Sequence, residues 1–173
     1  MKLTIGEHAG FCFGVRRAVL KAFECAEKRL PCVTLGPLIH NPQEVERLKR
    51  AGIRSVDSLD EVASGETVII RSHGVTPEVY AQCEARGLSV IDATCPHVAH
   101  IHQLVQTYSE DGSAVVIVGE ADHPEVVGIA GWAHGAVFIL PDAHAAEEAN
   151  LPERVMVVAQ ITIRRDRFES VLQ

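Results

Sequence analysis

The chain has 173 residues, 47% of them hydrophobic and 23% charged, with a formal net charge of −7. This composition supports a buried core, in one domain of ordinary size or two small ones, and excludes a disordered chain. The acidic balance argues against a broad nucleic-acid-binding face, no apolar run is long enough to cross a membrane, and the start MKLTIGEHAG lacks a long apolar signal segment, so a cytoplasmic protein is expected.

Along the chain, short Val- and Ile-rich runs alternate with helical patterns. LTIG is the first expected strand. The helix after it carries an apolar stripe at Val15, Ala18, Val19, Ala22 and Ala26. CVTLG is followed by PQEVERLKRAG, which opens on Pro42 and stops at Gly52. TVIIRS is followed by TPEVYAQCEARG, with Thr76 as N-cap, Pro77 in the first turn and Gly87 as the stop. LSVID leads to a helix opened by Pro96, AVVIVG to another, and AVFIL to a short one. RVMVVAQ precedes ITIRRDRFESVLQ, an amphipathic helix with Phe168, Val171 and Leu172 on one stripe, which reads as an element cut part-way. Repeated βα units with apolar strands predict an α/β fold with largely parallel sheets buried on both faces. The expected architecture is two similar three-layer α/β/α domains, residues 1–95 and 96–173, meeting near Cys95 and Pro96.

One phrase recurs. His40 precedes NPQEV, His73 precedes GVTPEV and His123 precedes PEV. Each histidine follows a strand-like run and comes before a proline-led helix. Such loops, at the carboxyl ends of parallel strands, are where α/β proteins bind ligands. Helix amino ends there favour an anion. The bland reading is that each histidine caps a helix or faces solvent. Three in matched settings point instead to convergence on one anionic ligand, which imidazoles meet as hydrogen-bond donors or cations. Glu125 lies in a first helical turn, where the dipole favours a carboxylate. It is equally placed to relay a proton beside a bound anion.

The five cysteines show no C-x-x-C pair. Cys12, between Gly10 and Gly14, and Cys95, before Pro96, share the strand-to-helix setting, where a helix amino end favours the thiolate. Cys25, Cys32 and Cys83 read as buried thiols. In DATCPHVAHIH, His97, His100 and His102 follow Cys95 closely. A closed zinc site there needs ligands that one helix end does not supply, and the histidine spacing fits an exposed helix face.

The pieces GFCFGVRRAV, LIHNPQEVERL, RSHGV, DATCPHV and HPEVVGI, in this order, resemble the amino-terminal part of the 4-hydroxy-3-methylbut-2-enyl diphosphate reductase family. The resemblance covers residues 10 to about 170. It implies an iron–sulfur cluster, four-iron or three-iron, held by three cysteines, of which Cys12 and Cys95 are two. It implies diphosphate binding by His40, His73, His123 and Thr162, and proton delivery by Glu125. The implied reaction is a two-electron reduction of an allylic diphosphate with loss of water, giving isopentenyl and dimethylallyl diphosphates in the methylerythritol phosphate pathway. It also implies an external electron donor such as ferredoxin or flavodoxin. In that family three similar domains surround the cluster. Here the third domain, the third cysteine and a Ser-x-Asn substrate motif fall outside the chain, and Ile161 stands where a substrate-contacting threonine is expected. Reduced activity of this chain alone is therefore expected, with self-association or docking of a missing-domain partner through the Cys12–Cys95 face. The alternatives are a non-catalytic relative that binds a diphosphate or a cluster, and one subunit of a split enzyme.

Overall fold

A computed structural model describes residues 3, 4, 6 and 9–173. The expected first strand, LTIG, includes Ile5, which lies outside the described residues. Leu3, Thr4 and Gly6 have no regular structure.

The first half begins with α1 (Phe13–Glu27) and β1 (Cys32–Leu35), then α2 (Pro42–Arg50), β2 (Arg54–Val56), β3 (Thr67–Ile70), α3 (Pro77–Ala85) and β4 (Ser89–Asp92). Its strands form a four-stranded parallel sheet in the order β2-β1-β3-β4. The second half continues with α4 (Pro96–Tyr108), β5 (Ala114–Val118), α5 (Pro124–Gly131), β6 (Val137–Leu140), α6 (Ala143–Glu148), β7 (Val155–Ala159) and α7 (Arg165–Val171). Its strands form a three-stranded parallel sheet in the order β6-β5-β7. The α/β class with parallel sheets is thus observed in both halves.

Alternation along the strands sends side chains to two cores per sheet. In the first sheet Cys32 and Ile69 pack with Ala18, Ala22 and Leu48 of α1 and α2, while Val33, Val68 and Ile70 pack with Cys83 of α3 and Leu59. In the second, Val115 and Ile117 meet Val105 and Ile129 of α4 and α5. Val116 and Val118 meet Ala145 and Phe168 of α6 and α7. Both sheets are therefore sandwiched between helices. The apolar strands are not uniformly buried, however. β4 has one neighbour among the described strands, and Val90 on it is 37% exposed. Two cations from α1 cover the end of that edge: Arg17 Nη1 donates to Thr94 O at 2.9 Å and Lys21 Nζ to Asp92 O at 2.6 Å.

The helix starts follow the expected chemistry with one difference. Asn41 caps α2 by accepting from Glu44 N at 3.0 Å. Thr76 occupies the N-cap position of α3, but its side chain makes no capping hydrogen bond. β2 was not expected, since Arg54, Ser55 and Val56 offer a single apolar residue and no alternation. No helix of the described residues is long and apolar enough to cross a membrane.

Candidate functional site

Strand order explains why distant loops meet. In the first sheet the chain leaves β1 toward β2 on one side and then crosses back to β3 on the other. The crevice between the carboxyl ends of β1 and β3 is a topological switch point. His40 comes from the loop after β1 and His73 from the loop after β3. The second sheet repeats the device, since β5 lies between β6 and β7. The loop after β5 carries His123, and the loop after β7 carries Gln160, Ile161 and Thr162.

The three imidazoles come together. Ring centroids lie 4.4 Å apart for His40 and His73, 5.3 Å for His40 and His123, and 5.6 Å for His73 and His123. His40 is exposed, and His73 and His123 are half-buried. His73 Nδ1 is buried without a hydrogen-bond partner, an unmet polar need in the cluster. Burial, helped by the neighbouring His40 and then Arg71, pushes the His73 imidazole down to about 3, and burial also lowers His123. Both rings are therefore neutral at physiological pH in this arrangement. A bound polyanion reverses the balance and favours their charged forms.

His123 has two tasks. Its Nδ1 accepts from Glu125 N at 3.1 Å, so the ring caps α5 as well as facing the cluster. That bond leaves the proton of the neutral ring on Nε2. Glu125 is 2% exposed. Its Oε1 accepts from Ile161 N at 2.5 Å, and burial holds the carboxyl above the usual carboxylate range against that one stabilising bond. Its proton, when present, belongs on Oε2. Gln160 Oε1 accepts from Glu120 N at 3.2 Å while its Nε2 donates to Thr162 Oγ1 at 2.7 Å. The Thr162 hydroxyl hydrogen is thereby free for another acceptor. Ile161 is 45% exposed and contributes its backbone, not a side-chain oxygen.

The two turn cysteines occupy helix amino ends. Cys12 is the N-cap residue of α1 and is exposed, and Cys95 is the N-cap residue of α4 and half-buried. Their elements approach closely. A Cβ placed on Gly14 would lie 2.5 Å from Cys95 Sγ, so only glycine lets the first turn of α1 settle against that thiol. Cys95 N also donates to Ser72 O at 2.9 Å, beside His73. Among the described residues no group of three or more side chains is arranged to hold a metal ion. The donor set fits an iron–sulfur cluster as two thiolates of the usual four and no further. Cys25, Cys32 and Cys83 are buried.

Of the histidines after Cys95, His97 and His100 are exposed, but His102 is not, which corrects the expectation of an exposed face. His102 is 4% exposed and stacks on Trp132 with centroids 5.4 Å apart. Its Cε1 would lie 2.5 Å from a Cβ on Gly74, whose φ of +72° also suits glycine. Burial lowers its imidazole to about 4. The sequence carried a signal for this: His102 shares the helical stripe of Val98 and Val105.

Residues 3–173 match the family described as LytB protein. The chain is similar to the 4-hydroxy-3-methylbut-2-enyl diphosphate reductases of Geobacter sulfurreducens, 44% identical over the whole chain and 61% of that protein, and of Aquifex aeolicus, 45% identical over 98% of the chain and 60% of that protein. It therefore spans about three fifths of the length of these relatives. Among solved structures, the Plasmodium falciparum reductase superposes with a TM-score of 0.91 at 27% identity, covering 96% of this chain and 54% of that one. A reductase described as the terminal enzyme of the non-mevalonate pathway superposes at 0.84 with 45% identity, covering 98% and 61%.

Proposed function

Because the chain belongs to the LytB family, we propose that it carries the diphosphate-binding and proton-donating part of a 4-hydroxy-3-methylbut-2-enyl diphosphate reductase. The observation that carries this reading is the ring cluster: three imidazoles within 4.4–5.6 Å of one another, each at the carboxyl end of a parallel strand. His40, His73, His123 and the Thr162 hydroxyl bind the diphosphate. Glu125, whose carboxyl burial holds above the usual carboxylate range, delivers a proton from Oε2 to the departing hydroxyl. Two electrons and two protons replace that hydroxyl with hydrogen and release water.

An iron–sulfur cluster supplies the electrons when bound, refilled by ferredoxin or flavodoxin. Cys12 and Cys95 are its two ligands in this chain, and the third comes from outside it. The halves 1–95 and 96–173 act as two domains that contribute the first two histidines and the His123–Glu125 pair respectively. Phe11 and Phe13, exposed on either side of Cys12 in the chain, form part of the face on which a second copy or the remaining domain docks.

The test is calorimetric titration of the chain with the allylic diphosphate, alongside anaerobic iron and sulfide analysis. Saturable binding that is lost on His73→Ala supports the site; absence of binding by the folded wild type overturns it. Binding with no iron at all, with or without a partner carrying the third cysteine, favours a non-catalytic relative instead.

A further inference from the structure

We propose that Arg71 supplies the fixed positive charge of the anion site, acting on the bound diphosphate from a neighbouring cleft that the His40 and His73 loops and the start of α5 border, behind the three rings, none of which lines it. This rests on the diphosphate reading. Arg71 ends the run from β3 and lies two residues before His73. It lines a cleft of about 300 Å³ with Pro37 from the His40 loop, Thr76 from the His73 loop and Pro124 next to His123. Its guanidinium fits there because Gly36 has no side chain: a Cβ on Gly36, where φ is +70°, would lie 2.6 Å from Nη1.

Arg71 enters no ion pair among the described residues, and its Nε is buried without a hydrogen-bond partner. Asp57 lines the same cleft without pairing with it. A half-buried guanidinium without an ion-pair partner pays a desolvation cost that a bound anion offsets. Burial holds His73 and His123 below the usual histidine range, so those two rings add little charge of their own. Arg71 is thus the group that attracts the anion first, and the rings then share its charge.

The experiment titrates the purified chain with inorganic pyrophosphate at several salt concentrations. Wild type is compared with Arg71→Gln, Arg71→Lys and Asp57→Asn, with unfolding midpoints as a check on folding. Arg71→Gln is expected to bind about tenfold or more weakly and to show a shallower dependence of affinity on salt, because one cation has gone. Arg71→Lys keeps the salt slope. Asp57→Asn, which removes an opposing charge, binds a few-fold tighter, and this arm stands even if Arg71→Gln does not fold. Wild-type affinity and slope in Arg71→Gln overturn the proposal, as do equal losses in the Gln and Lys variants with unchanged slope, which mark a packing role. A folded wild type that does not bind pyrophosphate overturns the histidine site, and Arg71's part with it. Loss in His73→Ala but not in Arg71→Gln overturns Arg71 alone.

Discussion

The two sheets use the same topological device and load it with different chemistry. At the β1–β3 switch point stand His40, His73 and Arg71, groups that are neutral or cationic. At the β5–β7 switch point stand a buried carboxyl on Glu125 and the Gln160–Thr162 hydrogen bond, with His123 bridging to the first set. One crevice gathers imidazoles and a guanidinium, and the other a buried carboxyl beside a hydrogen-bonded hydroxyl. A strand-order reversal therefore fixes where a ligand goes, while the loop residues decide what happens to it.

The sharpest way to break this comparison is to separate turnover from binding. In a catalytically competent form of the protein, Glu125→Gln should lower turnover by roughly 10²–10⁴-fold while leaving diphosphate affinity near wild type. Steady-state kinetics beside calorimetry would show it, and a matching loss of affinity would merge the two crevices into one role. On the other side, His40→Ala or His73→Ala should weaken pyrophosphate binding by about 1–3 kcal/mol.

Acid should divide the regions as well. His73, near 3, and His102, near 4, are both depressed below the usual histidine value of 6.5 by burial. The unfolded chain therefore takes up protons first as pH falls below that value, so folding stability is full above it and is lost toward the folded values. The raised Glu125 carboxyl works in the opposite direction over part of this range. His102→Phe keeps the stack on Trp132 and removes one titrating group. Its stability should fall less between pH 7 and pH 4 than that of wild type, by roughly 2–3 kcal/mol, in denaturant titrations at each pH.

Smaller effects test the seam at Cys95. Gly14→Ala should cost about 1–3 kcal/mol, because its methyl meets Cys95 Sγ at 2.5 Å. Arg50→Ala, which breaks an exposed pair with Glu46, should cost no more than about 0.5 kcal/mol. Thermal unfolding distinguishes the two.

Much of this was legible in the residues. Proline-led helices after Val-rich runs marked α2, α3, α4 and α5, and the repeated His-to-Pro phrase marked the loops. What periodicity does not encode is strand order. His40 and His73 are neighbours because β1 lies beside β3 and not because of any spacing between them. β2 escaped because three residues with one apolar side chain show no period. Glu125 read both as a dipole-favoured first-turn acid and as a proton relay; the burial that lifts its pKa, against the Ile161 N–H bond that lowers it, comes from packing that its position in the sequence does not show. Arg71 stood in RSHGV without a role read from it; the bare face of Gly36 gives it a place.

The cover that α1 lays over β4 has a consequence for handling the protein. An open parallel edge is a template on which another chain can add a strand, and β4, with Val90 outward and one neighbour among the described strands, is such an edge among them. Arg17 and Lys21 occupy the carbonyls of Thr94 and Asp92 that an incoming strand would seek, and they put two like charges in its path. The helix that presents Cys12 thus also acts as a guard against fibrillar stacking. Neutralising those two side chains should turn a soluble preparation into one that forms thioflavin-positive aggregates on standing.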